Sequence, residues 1–211
     1  MSIRFPRSAA PASLGLTVLA LLGSAAPSIV SLSPASVVAS TVTVTIEGIG
    51  FDASSAAEIV QPDGRRLATG TITDRAPTRL VATLALAGVS PGPYEMRVSN
   101  PDGTRSNTAT LTLTTEVAIS PTRGRPGQPF TYTGRGFTGR SGVTSHLQGP
   151  DGLEWQAKRY GTSAEGTFER EISSGEFVPG TYAVWAMDDR TKITSPKATF
   201  EVVPAAPPPS P

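Results

Sequence analysis

The chain has few of the residues on which metal and catalytic sites are most often built. Its 211 residues include no cysteine and a single histidine, His146. The absence of cysteine excludes disulfide bonds and an anchor on a lipid-modified cysteine. One histidine without cysteine cannot form a zinc-binding cluster. The sequence therefore predicts no metal, no cofactor and no catalytic residues, and we expect the protein not to be an enzyme.

A surplus of charge of one sign is also lacking. The chain carries 18 lysine and arginine residues against 17 aspartate and glutamate residues. Proteins that bind nucleic acids usually carry clustered basic residues, because contacts to phosphate supply much of their affinity. The basic residues of this chain are spread along it instead. A nucleic-acid partner is therefore not expected.

Only one hydrophobic run stands out, and it is too short to span a bilayer. Arg4 and Arg7 precede an apolar run over 14–22, and small residues follow at 24–26. A transmembrane helix needs about 20 apolar residues. The order of basic, apolar and small residues predicts a signal peptide over residues 1–26. We expect its cleavage, no stable membrane insertion afterwards, and a secreted protein in the periplasm, at the cell surface or outside the cell.

What the sequence does contain is a repeat. Three short motifs occur twice in the same order, 86 or 88 residues apart. They are Gly-x-Gly-Phe at 48–51 and 134–137, Pro-Asp-Gly at 62–64 and 150–152, and Pro-Gly-x-Tyr at 91–94 and 179–182. Solenoid and propeller repeats have shorter periods of about 20–50 residues. The spacing therefore predicts tandem duplication of a whole small domain.

Short alternating segments and turns fill both copies. Apolar and polar residues alternate over 41–46, 80–86, 94–98 and 108–114, and again around Phe130, Tyr182 and Phe200. Between these segments lie Pro-Asp-Gly and Pro-Gly pairs, whose backbone preferences favour turns. No sustained helical apolar stripe follows the predicted signal peptide. This pattern predicts an all-β fold, either a sandwich or a barrel.

Three segments of the first copy and three of the second carry family resemblances. They are 29–34, 42–51 and 91–103 in the first copy, and 124–127, 134–137 and 179–182 in the second. The first set resembles an IPT/TIG domain, and the second resembles the immunoglobulin-like repeats of bacterial secreted proteins. The resemblance implies two tandem immunoglobulin-like β-sandwiches that serve in adhesion, spacing or glycan contact. It supplies no catalytic residues.

The repeat and the composition also divide the chain. We predict a first domain over 28–114, a second over 116–203 and a proline-rich tail over 204–211, with the boundary near Thr115. Such a short linker cannot act as a free tether, so we expect the domains to lie end to end with limited bending. Five of the eight tail residues are proline, which has no N–H donor, so the tail is expected to be extended polyproline II.

Aromatic residues of the second copy are the candidate ligand-binding residues. If Tyr182 faces the core, the alternation turns Trp185 outward, and Trp155 is expected on a strand beside Tyr160. An exposed tryptophan can stack on a sugar ring or anchor a protein partner. Alternatively, both tryptophans cover the core edge or the contact between domains.

Two other groups of residues are interpreted as structural. His146 is expected to be an ordinary sheet residue on the face opposite Leu147. Asp188 and Asp189 form the densest acidic pair, and calcium needs several such oxygen ligands. Aspartate is also favoured in turns for backbone reasons alone, so we predict no metal site there.

These observations favour a non-catalytic module for interaction or spacing, secreted or in the cell envelope, that binds a surface protein or a polysaccharide. One alternative is a carbohydrate-binding protein that uses Trp155 and Trp185 as its platform. Another is a subunit of a surface layer or filament that assembles through free sheet edges. An accessory role to an enzyme, or a minor hydrolase, would require a cleft with convergent acids.

Overall fold

The computed structural model describes residues 26–61 and 63–205. The predicted signal peptide and the polyproline tail lie almost entirely outside the described residues. The described residues form seventeen β-strands and no α-helix. Accordingly, none of them belongs to a helix long and apolar enough to cross a bilayer.

The first nine strands form one β-sandwich. They are β1 (Ser28–Ser33), β2 (Ser36–Val38), β3 (Thr41–Ile49), β4 (Ala56–Val60), β5 (Arg66–Thr69), β6 (Thr71–Ala76), β7 (Arg79–Ala85), β8 (Gly92–Ser99) and β9 (Ala109–Thr114). One sheet has the order β1-β3-β7-β6, and the other has the order β2-β9-β8-β4-β5. Neighbouring strands are antiparallel except β2 and β9, which are parallel.

The remaining eight strands form a second β-sandwich. They are β10 (Glu116–Ser120), β11 (Arg123–Gly124), β12 (Phe130–Arg135), β13 (Gly142–Gln148), β14 (Lys158–Gly161), β15 (Phe168–Ile172), β16 (Gly180–Asp188) and β17 (Ala198–Val202). The sheets have the orders β10-β12-β15 and β11-β17-β16-β13-β14. These strand orders are those of immunoglobulin-like sandwiches. The predicted all-β fold of two tandem immunoglobulin-like sandwiches is confirmed.

The alternation predicted from the sequence positions both cores. In the first domain the buried side chains are mainly aliphatic, including Val44, Ile46, Leu80, Leu84 and Leu111. In the second domain they are largely aromatic, including Phe130, Tyr132, Phe137, Phe168, Phe177, Tyr182 and Phe200. The same fold is therefore filled by two different kinds of side chain.

The Gly-x-Gly-Phe motif turns the chain so that its phenylalanine enters the core. Gly50 and Gly136 have φ of 71° and 79°, in the left-handed region that favours glycine. A Cβ added at Gly48 would lie 2.4 Å from Cζ of Phe51, so the ring packs directly over this glycine. Phe51 and its counterpart Phe137 are both buried.

The Pro-Gly-x-Tyr motif forms a tyrosine corner in each domain. The hydroxyl of Tyr94 donates to the carbonyl oxygen of Ser90 at 2.8 Å, and that of Tyr182 donates to Val178 at 3.0 Å. In immunoglobulin-like domains this tyrosine ties the start of its strand to the backbone a few residues upstream. The repeated motif therefore fixes the same corner twice.

The two domains meet end to end through backbone contact. Thr115, the one residue between β9 and β10, is buried. The N–H of Gly139 donates to the carbonyl oxygen of Gly88 at 2.9 Å, and the hydroxyls of Thr138 and Ser90 are 3.1 Å apart. These contacts cross from the second domain to the first.

Candidate functional site

The two sandwiches differ at one sheet edge. In the first domain, β7 lies between β3 and β6, whereas its counterpart β15 pairs with β12 alone. The chain of the first domain passes from β5 to β6 through Gly70 and so adds a fourth strand. In the second domain, residues 162–167 form a turn that leads from β14 directly to β15. The outer edge of β15 therefore carries no strand from the described residues.

The repeated motifs identify which positions of the two domains are equivalent near this edge. Ile46 and Tyr132 each lie two residues before the first glycine of the Gly-x-Gly-Phe motif. Ile46 is paired with Leu80, and Tyr132 is paired with Arg170. Paired residues of neighbouring strands lie on the same face of the sheet. Arg170 therefore takes the position of a buried leucine, on the core-facing side of β15.

A second pair of positions shows what the missing strand leaves open. Val44 pairs with Ala82, and Ala82 pairs in turn with Ile72 of β6, which packs against the core. In the second domain, Phe130 pairs with Ile172 at the corresponding place. Among the described residues, none pairs with the free side of Ile172.

A cleft of about 240 Å³ opens at this place, and we call it the side cleft. Its apolar wall is formed by Tyr132, Leu147, Trp155, Tyr160, Ile172 and Phe177. The charged side chains of Lys158 and Glu171 also line it. Because β14 and β15 are the edge strands of the two sheets, the side cleft leads from solvent to the core between the sheets.

Trp155 forms one wall of the side cleft. It lies in the irregular segment before β14, so the predicted position on a strand is wrong. Its backbone N–H donates to the carbonyl oxygen of Leu147 at 2.8 Å, which holds the segment against β13. The indole ring meets Phe177 edge to face, with 5.0 Å between centroids, and the residue is 41% exposed.

Tyr160 and Arg170 connect the two sheets across the open side. The guanidinium carbon of Arg170 lies 5.1 Å from the ring centroid of Tyr160, within the range of a cation–π interaction. One of its N–H groups donates to the carbonyl oxygen of Glu169 at 2.8 Å. Among the described residues, no carboxylate forms an ion pair with Arg170.

A buried hydroxyl without a partner also belongs to the side cleft. Tyr132 is 1% exposed, and its hydroxyl has no hydrogen-bond partner within the described part of the chain. Burial raises the pKa of Tyr132 to about 12, although the nearby hydroxyl of Ser145 has the opposite effect. A buried polar group without a partner is uncommon in native structures and calls for an explanation.

Trp185 lies elsewhere. It faces away from the core, as the alternation predicts, but the expected exposed ring is wrong, because the residue is only 8% exposed. Its ring stacks on His146 at 5.2 Å, and Nζ of Lys197 lies 4.1 Å above it. His146 thus lies in the sheet on the outer face, as expected. Of the three candidate residues, the structure brings Trp155 and Tyr160 together and leaves Trp185 outside.

The acidic pair serves the fold. The carboxylate of Asp188 is buried and accepts bonds from the N–H of Thr138 at 2.7 Å and from the N–H of Thr191 at 2.9 Å. Asp189 accepts a bond from Arg159. Within the ranges that the structure describes, no three histidine, cysteine or acidic side chains form a group that could hold a metal ion.

A larger depression of about 590 Å³ lies along β10, β12 and β15. Two of its charged residues, Arg135 and Glu116, form an ion pair at 3.0 Å, and Glu169 and Arg170 also line it. The side cleft is the less open of the two and is lined by the core residues Tyr132, Phe177 and Val184. We therefore take the side cleft as the candidate site.

Sequence reasoning missed Arg170, Tyr132 and Phe177 as site residues. A signal was nevertheless present, because Glu169-Arg170-Glu171 stands where the first copy has Arg79-Leu80-Val81. A charged residue at a position where a strand should face the core predicts either that the strand is exposed or that a neighbouring strand is missing.

No family model and no curated protein matches the chain. Solved structures do. The adhesin InvE of Yersinia pseudotuberculosis is 14% identical with a TM-score of 0.35, and the match covers 83% of this chain and 58% of that one. A TIG domain of human nuclear factor of activated T-cells, cytoplasmic 4, is 19% identical with a TM-score of 0.37, covering 42% and 87%.

A third similar structure is SGBP-B of the Bacteroides ovatus mixed-linkage glucan utilization locus, solved in complex with a mixed-linkage heptasaccharide. It is 15% identical with a TM-score of 0.37, and the match covers 80% of this chain and 43% of that one. The similar structures thus include a TIG domain and a bacterial adhesin. The assignment of the fold rests on the strand order of this chain itself.

Proposed function

We propose that this protein is a non-catalytic interaction module, secreted or held in the cell envelope, that binds a surface protein or a glycan through the side cleft of its second domain. The observation that carries the proposal is the cleft itself, open to solvent and lined by Trp155 and Tyr160. The predicted signal peptide supports the location.

The chemistry of the side cleft suits binding. Ligand sites are mostly apolar concavities with a few polar groups that fix orientation. Here the aromatic wall supplies the apolar area, and Lys158 and Glu171 supply charged groups. Tyrosine and tryptophan are also the residues most often found at binding hot spots.

The contact between the domains suits a spacer that presents this cleft in a fixed direction. A Cβ added at Gly88 of the first domain would lie 2.2 Å from the carbonyl oxygen of Ala164 in the second domain, and one added at Gly139 of the second domain would lie 3.1 Å from Cα of Gly88. Backbones that pack this closely leave little room for one domain to rock against the other. We propose that the first domain sets the distance and orientation of the second.

Capture of partners by the mature chain tests the proposal. Envelope proteins and a panel of polysaccharides are offered to the native chain and to a Trp155→Ala variant. Trp185→Phe serves as the matched control, because Trp185 lies outside the side cleft. We expect Trp155→Ala to lower capture at least tenfold and Trp185→Phe to leave it unchanged. Equal capture by all three proteins would refute the proposal for this cleft.

A carbohydrate ligand is a second candidate, favoured by the exposed part of the Trp155 ring, which can stack on a sugar. Without Trp185 the predicted two-tryptophan platform is not available, so any sugar would lie between Trp155 and Tyr160. A shift of tryptophan fluorescence with polysaccharide, absent in Trp155→Ala, is the expected result. If no polysaccharide shifted the fluorescence, a carbohydrate ligand would be excluded and a protein would remain as the proposed partner.

Self-association of the protein into a filament is favoured by apolar residues exposed at the outer end of each domain. Val30 and Ile49 are exposed at the end of the first domain away from the junction, and Leu153 and Val178 at the far end of the second. A contact between unlike ends would build a filament. Sedimentation velocity should then show concentration-dependent growth that Ile49→Asp abolishes. A monomer at all concentrations would exclude this role.

A further inference from the structure

The first domain shows what fills an open edge of this kind. Its β6 pairs antiparallel with β7 and sets Ile72 over Ala82, where the side chain packs against the core. Among the described residues, the second domain has no strand equivalent to β6, and its side cleft opens beside Ile172, the counterpart of Ala82. The vacant position therefore has the shape of one aliphatic side chain carried on an extended backbone.

The charge of Arg170, at the edge of β15, defines a second feature of a strand that would fill the vacant position. In regular antiparallel pairing, a residue opposite Ile172 is followed two positions later by a residue opposite Arg170. Arg170 lies on the core-facing side of β15 but is exposed, and it has no carboxylate partner within the described residues. An acidic side chain at that second position would form an ion pair with Arg170 as the strand covers the edge.

We infer that the side cleft is an acceptor site for a β-strand from a partner polypeptide. The strand pairs antiparallel with β15, inserts an aliphatic residue beside Ile172 and places an acidic residue, two positions further on, against Arg170. The inference rests on the proposed function and names the class of partner. Strand addition at a free sheet edge obtains affinity from main-chain hydrogen bonds and specificity from the side-chain pockets.

Arg170 also explains how the free edge avoids unwanted pairing. Charged residues that point inward on an edge strand disfavour edge-to-edge aggregation. A strand without an acidic residue would have to cover the guanidinium group without a counter-charge. Arg170 therefore selects among strands, because the residue that repels most of them attracts those with the matching acid.

The chain supplies a suitable probe. A synthetic peptide of residues 70–77 contains Ile72 and Asp74, which have the required spacing. In the first domain itself, a register shift after Ile72 places Asp74 opposite Val81, so the peptide meets the full requirement only in regular pairing. Fluorescence of Trp155 follows binding to the mature chain, and the Trp185→Phe background removes the second tryptophan signal.

A charge swap tests the predicted register. We expect saturable binding that weakens about tenfold when the protein carries Arg170→Glu, and that returns when the peptide carries Asp74→Arg. Peptides with Ile72→Asp, or with methylated backbone nitrogens on the edge that would face β15, should not bind. Amides of β15 that do not pair with β12 should exchange more slowly with the peptide present.

The outcomes separate the inference from the proposed function. Binding without coupling between Arg170 and Asp74, or binding that survives backbone methylation, would overturn the inference. Failure of the peptide to bind, while Trp155→Ala still abolishes capture of an envelope protein or polysaccharide, would overturn strand addition and keep the proposed function. Failure of both experiments would overturn both.

Discussion

In the first domain, β6 covers the outer edge of β7 and the core beneath is aliphatic; in the second, β15 is an edge strand and the core is largely aromatic. Two of the rings, those of Tyr132 and Phe177, line the side cleft at the edge that lacks a strand. Tyr132 meets Phe168 edge to face at 5.1 Å, and Phe177 stacks on Tyr182 at 4.6 Å. Large side chains therefore replace part of the burial that a fourth strand provides.

The comparison teaches that one fold can release a sheet edge without losing its core. Each domain keeps the same glycine turn, the same tyrosine corner and a buried polar residue at the end of the strand that follows the corner, Asn100 or Asp188. The differences are confined to the edge and the side chains beneath it. Duplication thus provides one domain whose edge is covered and one whose edge is open.

Substitutions at the equivalent positions 80 and 170, which give each domain the residue of the other, should produce the largest effect on stability. Leu80→Arg places an unpaired charge where the side chain is fully buried beneath β6, so we expect the first domain to lose at least about 4 kcal/mol of stability. Arg170→Leu changes a partly open site and should alter stability by less than about 1 kcal/mol. Urea unfolding followed by circular dichroism measures both.

The two tryptophans provide a control, since both lie in the second domain. Their fluorescence should report little change in the unfolding of that domain with Leu80→Arg. Arg170→Leu should instead increase self-association, because it removes the inward charge from the free edge. If Leu80→Arg and Arg170→Leu lowered the free energy of unfolding by similar amounts, the edge of β7 and the edge of β15 would not differ in how they are covered.

The buried strand-end residues should give the next largest effect. Asp188→Ala removes the acceptor of several donors, including the N–H of Thr138 and of Thr191, and should cost about 3 kcal/mol. Asn100→Ala removes one bond to the carbonyl oxygen of Gly50 and one from the hydroxyl of Ser55, both uncharged, and should cost about 2 kcal/mol. Equal losses in urea unfolding would contradict a special role for the charge.

The sequence allows the fold to be predicted more fully than the site. Alternation and the repeated glycine and tyrosine motifs depend on local backbone preferences and on the period of a strand, so they indicate the two sandwiches directly. Trp185 was predicted to face outward, and it does, but His146 and Lys197 cover it from other strands. Such cover depends on pairing between strands, which one sequence does not specify.

The open edge was harder to predict for a related reason. The motif spacing is nearly equal in the two copies, so the missing strand leaves no gap in length. Residues 162–167 form a turn where the first domain has β6, and Arg170 interrupts the apolar alternation of β15. Without the pairing with Tyr132, the segment does not stand out as a strand that faces a core.

Truncation of the covering residue should turn the first domain into a weaker copy of the second. Ile72 is half-buried against the core, so Ile72→Ala should destabilise the first domain by about 1–2 kcal/mol, below the usual cost at a fully buried site. Amide exchange of β6 should speed up with little change in the second domain. Unchanged exchange of β6 would show that its backbone pairing alone holds it in place.

The smallest effect at neutral pH is expected from Tyr132→Phe, at the position that Ile46 fills in the first domain. The buried hydroxyl has no partner within the described residues, so its removal should change stability by less than about 1 kcal/mol.

Burial raises the pKa of Tyr132 from 10.0 to about 12, so the folded state holds its proton more tightly than the unfolded state does. That contribution is complete below pH 10 and is lost as the pH rises to 12. The native chain should therefore lose about 2–3 kcal/mol more than the Phe variant across this interval, in urea unfolding followed by circular dichroism. A Phe variant that is markedly less stable at pH 7 would show that the hydroxyl is satisfied in the folded protein.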